Sequence, residues 1–229
     1  MTLQDEALSN PSDRPTGRGA LAAFAYQQIR DRLIHSYYRG GERLVLRPLA
    51  ASLALSPTPV REALLRLVSE QALELDERNT ARVPQISRAA FLEIHALRGD
   101  IEVRLSRNVA EHITAEQIQV LRERHDAFIE AYQAEDSHGT AVANAAFHSA
   151  VADFSNLSLT AGLMHSLWTR IGPIYAAANG LPDMSPADKT HPHFQLIDAF
   201  AEHNPEKAAE AMRRDFAQAQ SWLGPLLPL

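Results

Sequence analysis

Two prolines separated by one residue, in the run Ser56-Pro57-Thr58-Pro59-Val60-Arg61-Glu62-Ala63-Leu64, restrict this chain more than any other stretch. Proline fixes φ near the helical value and lacks an N–H, so it suits the first turn of a helix and no later position. The residue before a proline is steered away from the α region. Together these place Thr58 as the N-cap and Pro59 as the first helical residue. Downstream, Val60, Ala63, Leu64, Leu67 and Val68 recur at helical spacing and form one apolar stripe, with Arg61, Arg66 and Ser69 turned away. A helix that packs on its back and offers Thr58 and Arg61 at its tip has the form of an element that enters a DNA groove.

The neighbouring segments supply the rest of such a unit. Apolar positions Leu21, Phe24, Ala25, Ile29, Leu33 and Ile34 predict a helix over about 20–38, stopped by Gly40-Gly41. Residues 42–45 read as an extended link, Pro48 to Leu53 as a short helix, and Ala54-Leu55-Ser56 as a tight turn. After the third helix, Leu73 to Asp76 and Ala81 to Val83 alternate like two short strands around Glu77-Arg78-Asn79-Thr80. The order is helix-turn-helix followed by a wing. Before it, residues 1–19 are polar and broken by Pro11, Pro15, Gly17 and Gly19, which predicts a flexible arm. The predicted division is 1–19, 20–86 and 87–229.

A net charge of -6 argues against nucleic-acid binding until it is located. Residues 21–88 carry ten basic and seven acidic side chains, whereas 89–229 carry ten basic and eighteen acidic. The basic excess therefore belongs to the winged segment, and the rest is a different module. Cysteine is absent, which excludes disulfides and thiolate metal sites. Without a long apolar run or a secretory leader, a soluble cytoplasmic protein is expected, with no membrane partner.

The run from Gln27 to Pro84, with Gly41-Glu42-Arg43-Leu44, Leu49-Ala50 and above all Thr58-Pro59-Val60-Arg61-Glu62-Ala63-Leu64, resembles the winged helix-turn-helix of GntR-family bacterial transcription regulators. The resemblance implies DNA contacts from Arg47, from the turn before the third helix, from Arg61 and from the wing. The candidate set is Arg47, Ser56, Thr58, Arg61, Arg66, Arg78 and Arg82. Arg61 has the fork that reads guanine bidentately, and Arg47 and Thr58 suit phosphate. Taken alone, Arg61 also fits an ion pair on a solvated helix face. Pro57 and Leu65 stand where the family often has arginine, and Gln71 and Thr80 where it usually has glycine, so the operator is expected to be this protein's own.

The second half has no convincing strand alternation and predicts an all-α bundle of about six helices. Ser87 caps a helix over about 88–111, Thr114-Ala115-Glu116-Gln117 is a capping box, and further helices fit 138–154, 158–179, 189–203 and 205–222. The fold class is mainly α, a winged head plus a helical bundle. Residues 88–222 resemble the FadR-type C-terminal ligand-binding domain (FCD) of the same family, on Arg98 with Glu102, Phe147-His148, Asn156, His193 with Asp198 and Ala199, and Ala208 to Asp215. In its metal-binding branch the resemblance implies a ligand set at Asn144, His148, His193 and Asp215, with Asn144 replacing an aspartate and Asp215 a histidine. Asn144 and His148 are four apart and share a helix face.

Two histidines, a carboxylate and an amide oxygen can hold a divalent ion such as zinc, nickel or manganese, leaving positions for an effector. The exchanged imidazole weakens the preference for zinc, copper and nickel and makes manganese or magnesium more acceptable. The alternative is a polar bundle core in which Asn144 and Asp215 hydrogen-bond the imidazoles without an ion. Arg98 is a candidate for an effector carboxylate or, equally, an i,i+4 partner of Glu102 on the helix surface. His125, His138, His165 and His191 have no assigned partner. The expectation is a dimeric regulator that binds a double-stranded operator under control of a small organic acid held at a divalent metal. An all-α metal-dependent hydrolase or lyase with a vestigial DNA head is the competing class.

Overall fold

The computed structural model describes residues 17–175 and 191–223, together with Pro225 and Leu227. Most of the expected N-terminal arm and the expected break at Gly180-Leu181-Pro182 lie outside the described residues. The chain divides into two compact units, one made of Met1–Asp31 and Glu42–Val83 and the other of Arg32–Gly41 and Pro84–Leu229.

In the first unit, α1 (Arg18–Ile34) is followed by β1 (Arg43–Leu44), α2 (Leu46–Ser52), α3 (Pro57–Ser69), β2 (Glu74–Leu75) and β3 (Ala81–Arg82). The helices bury Ala25, Ile29, Leu49, Ala50, Val60, Ala63, Leu64 and Leu67, the stripe that the 3.6-residue period predicts. The three strands form one antiparallel sheet in the order β1-β3-β2. Arg43 pairs with Arg82 on one edge and Glu74 with Arg82 on the other. The link expected to be merely extended is thus a strand of the wing's sheet. Asp76 closes the wing turn by accepting the N–H groups of Arg78 and Thr80, both at 2.9 Å.

Three helix boundaries differ from the sequence reading. The third helix begins at Pro57 with Ser56 as N-cap, not at Pro59 with Thr58 as cap. Both prolines sit in the first turn, where neither missing N–H has an intrahelical partner to lose. The pre-proline restriction on Thr58 is a preference that the first turn overrides. Helix α2 starts two residues before Pro48, for the same reason. Helix α1 ends at Ile34 instead of near Tyr38, because Ser36 turns left-handed (φ 61°) ahead of the glycines.

Among the described residues the elements of the second unit are all helices: α4 (Arg88–His112), α5 (Ala115–Gln133), α6 (Ser137–Asp153), α7 (Ser158–Tyr175), α8 (Pro192–Ala201) and α9 (Pro205–Leu223). Ser87 caps α4 through the Ala90 N–H, and Thr114 with Gln117 forms the expected capping box. Two apolar clusters form its core, one around Phe147, Phe200, Met212 and Phe216, the other around Phe91, Met164, Trp168 and Ile171. Ser36 is anchored here by donating to the Gly172 carbonyl at 2.8 Å. A Cβ on Gly172 would lie 2.2 Å from the Leu33 carbonyl oxygen, so only glycine fits this crossing. Among the described residues no helix is long and apolar enough to cross a membrane.

Candidate nucleic-acid interface and metal centre

The winged unit separates its candidate contacts into two kinds. Arg47, Ser56, Thr58, Arg61 and Arg78 are exposed, and among the described residues the side chains of Arg47, Arg61 and Arg78 make no ion pair. Arg47 and Arg61 line one groove of about 790 Å³, together with Leu65 of α3 and Asn79 and Thr80 of the wing. Here are two unengaged guanidinium groups on one concave face, at the tip of the stripe-packed helix. Arg66 is used differently. It pairs with Glu70 at 3.0 Å and lies over the Tyr26 ring at 3.8 Å, bracing α3 against α1. Tyr26 donates its hydroxyl to the same Glu70 at 2.7 Å. Arg82 is held by Glu74 across the wing, with both side chains partly exposed.

The second unit concentrates its charge inside. Arg98 and Glu102 form an ion pair at 2.7 Å with side chains 1% and 2% exposed. The pair is therefore a core contact, not the surface i,i+4 bridge, and it turns the Arg98 guanidinium away from solvent. Arg98 also stacks on Trp168 at 3.9 Å and reaches the Tyr175 hydroxyl at 3.4 Å. The other oxygen of Glu102 meets His148 Nδ1 at 2.6 Å. His148 Nε2 lies 3.3 Å from Asp215 Oδ2, and His193 Nε2 lies 3.4 Å from Asp215 Oδ1. Arginine, glutamate, histidine and aspartate thus alternate in sign along one buried line.

That alternation sets the protonation states. Burial alone pushes Glu102 up, but Arg98 and His148 outweigh it and hold the carboxyl at about 2. Burial likewise pushes His148 down, and Glu102 and Asp215 overcome it, raising the imidazole to about 9. Near neutrality His148 is therefore an imidazolium between two carboxylates. His193 goes the other way: burial, then the neighbouring His191, His148 and His125, lower it well below the ordinary histidine value. It is neutral.

Helices α6, α8 and α9 bring His148, His193 and Asp215 together, with one ligand atom of each within 4.8 Å of the others. Asn144, half-buried one turn before His148, lines a small cavity with Asp215, Tyr175 and His191. The cavity measures about 50 Å³, the room of one or two waters. Arg98 is not among the residues lining it; Tyr175 is. The donor set passes one structural test for a divalent ion. Among the described residues His193 Nε2 is buried without a hydrogen-bond partner, a cost that a bound cation would remove. His148 Nδ1 on Glu102 also supplies the carboxylate–histidine support that metal-ligating imidazoles ordinarily have.

Sequence reasoning missed two residues at this centre. His125 and His191, left without a role, are buried beside His193, and the Nδ1 atoms of His125 and His193 are 3.2 Å apart. The His191-Pro192-His193 spacing was the one signal for His191. His125 lies 68 residues from its partner on another helix and carried none.

Comparison with known proteins follows the same division. The model for bacterial regulatory proteins of the gntR family matches residues 21–83, and that for the FCD domain matches residues 93–218. The HTH-type transcriptional regulator McbR of Escherichia coli (strain K12) is 32% identical over 143 residues, covering 61% of this chain and 65% of McbR. YdhC of Bacillus subtilis (strain 168), an uncharacterized HTH-type transcriptional regulator, is 26% identical over 57% of this chain and 59% of its own. The sequence likeness thus spans just under two thirds of these relatives' length. Among solved structures, E. coli McbR/YncC superposes with a TM-score of 0.79 at 25% identity, covering 90% of this chain and 98% of that one. A GntR regulator from Rhodococcus sp. RHA1 shares the fold, with a TM-score of 0.68 at 22% identity and coverage of 88% and 96%. The relatives are regulators, not enzymes, and this chain belongs to the GntR family of DNA-binding transcriptional regulators, with an FCD domain as its C-terminal half.

Proposed function

We propose that this protein binds a pseudo-palindromic DNA operator as a homodimer and that a small organic acid, held at a divalent ion in the helical domain, controls that binding. The DNA half of the reading rests on Arg47 and Arg61, exposed on one groove and without an internal ion pair among the described residues. Arg61 reads a base edge and Arg47 positions the backbone. Thr58, in the first turn of α3, donates to phosphate, and Arg78 at the wing tip follows the adjacent groove.

The effector half rests on one observation, the buried Nε2 of His193, which has no hydrogen-bond partner among the described residues and faces His148 and Asp215. His148, His193 and Asp215 would hold the ion, with the Asn144 amide oxygen completing the protein ligands. When bound, a divalent cation supplies a Lewis-acidic anchor for a carboxylate. Asn144 and Tyr175 line the approach, and Tyr175 passes the influence of Arg98 to it. The 50 Å³ cavity takes little more than the carboxylate itself. To act as an effector, the acid binds one form of the domain better than another. That difference in affinity between two forms is what a switch requires, and 1–3 kcal/mol is the usual coupling.

Gel-shift titration with the DNA upstream of the protein's own gene tests the first half. Arg61→Ala is expected to weaken specific binding about 5- to 150-fold, from the loss of about 1–3 kcal/mol. Unchanged binding at moderate salt would refute the assignment. For the second half, manganese should raise the melting temperature of the wild type and not of His148→Ala. No stabilisation of the wild type by manganese would remove the ion from the reading.

A further inference from the structure

His193 faces two donor sets with its two ring nitrogens. Nε2 looks toward His148 and Asp215, and Nδ1 looks toward His125 at 3.2 Å. On the Nδ1 side, His125, His191 and His193 each offer one ligand nitrogen within 4.8 Å of the other two, and all three residues are buried. Among the described residues no carboxylate belongs to this second group. Phe128 and Phe147 pack against its rings, and Phe147 stacks on His193 with centroids 4.0 Å apart.

We propose that His125, His191 and His193 form a second cation site, all nitrogen, that takes late first-row ions such as nickel or copper, and that His193 makes the two sites mutually exclusive. A neutral imidazole has one N–H and one lone pair. With the proton on Nδ1, His193 donates to His125 and its lone pair serves the His148–Asp215 side. With the proton on Nε2, the N–H faces Asp215 Oδ1 at 3.4 Å and the lone pair joins His125 and His191. One ring in one tautomer therefore serves one ion at a time.

Donor chemistry decides which ion goes where. Oxygen donors suit manganese and magnesium, and imidazole suits nickel, copper and zinc, with copper favoured most among divalent ions. Three nitrogens at up to 4.8 Å need to close by less than about 1 Å each to reach metal–nitrogen distances of about 2.0–2.1 Å. The contact most exposed to that closure is the one at the start of α8, where the His193 N–H donates to His191 Nδ1 at 3.2 Å. It is long for a capping bond, and its loss is small beside a metal–imidazole bond. This site shares His193 with the proposed effector centre but does not need that centre to be filled.

The experiment uses the full chain, stripped with chelator and then titrated separately with manganese, nickel and copper, reading melting temperature and stoichiometry. Nickel should bind once per chain and raise the melting temperature. His125→Phe should abolish the nickel shift and keep the manganese shift, and Asp215→Asn should do the reverse. Copper bound to the wild type should show electron-spin-resonance coupling to three nitrogens, a readout that needs no variant to fold. Equal loss of both ions in either variant would overturn the proposal, as would coupling to two nitrogens or fewer. Two ions bound at once would overturn the exclusivity. Failure of manganese alone would remove the effector centre and leave this site standing, whereas failure of nickel and copper alone would do the opposite.

Discussion

The two units handle charge in opposite ways. In the winged unit the arginines stay at the surface, some in exposed pairs such as Arg82 with Glu74, others without an ion pair among the described residues. In the helical unit Arg98, Glu102, His148 and Asp215 are taken into the interior and made to satisfy one another. Exposed pairs contribute between nothing and about 1 kcal/mol, so the first arrangement leaves its charges available to a partner. Buried charges cost several kcal/mol each to desolvate, and a set of four persists only while every member is matched. Charges of the first kind serve recognition from outside. Those of the second are vulnerable to removal of a single group, which suits a site that must register one.

The largest expected break in this contrast is Glu102→Gln. It leaves Arg98 and His148 buried without their shared counterion and should cost about 3–5 kcal/mol, read by urea denaturation. Arg61→Ala, an equally drastic change in charge, should leave unfolding within about 0.5 kcal/mol of the wild type while weakening DNA binding. Comparable destabilisation by the two would erase the distinction between the units.

Proton titration probes the same line more gently. The folded His148 pKa of about 9 lies above its ordinary value of 6.5. The stability it contributes is therefore complete below pH 6.5 and is lost as pH rises through about 9, up to about 3 kcal/mol in metal-free protein. Glu102, depressed to about 2 from 4.5, contributes above pH 4.5 and is lost as pH falls through about 2. A flat stability curve between pH 6.5 and 9 in chelator would count against the imidazolium. In the winged unit the smallest effect is a backbone one. Gln71 holds φ 58°, so Gln71→Gly should stabilise by about 0.5 kcal/mol by calorimetry, with relief of left-handed strain partly offset by glycine's entropy.

Local chemistry was readable wherever neighbours in sequence are neighbours in space. Ser87, the Thr114–Gln117 capping box and the stripe on α3 act over one to three turns, and each appears where the pattern puts it. The start of α3 was less legible because two prolines, each fit for a first turn, stand two residues apart. Arg98 and Glu102 announced themselves as an i,i+4 pair, but nothing local tells a surface pair from a buried one. What buries them is Trp168 and His148, 66 and 46 residues from Glu102. His148, His193 and Asp215 were assembled by family resemblance, which follows ligand positions and passes over His125 and His191, because those two lie outside the motif.

The proton on His148 has one more consequence. It occupies the nitrogen that an ion would need, so cation and proton compete for a single lone pair between Glu102 and Asp215. Below about pH 9, where that proton is present, one must leave for each ion that enters. A tenfold drop in acidity is then equivalent to a tenfold rise in free metal. With the proposed ion bound there, such a centre would measure the ratio of the two, and a regulator built on it would respond to the acid balance of its surroundings even at a constant supply of metal.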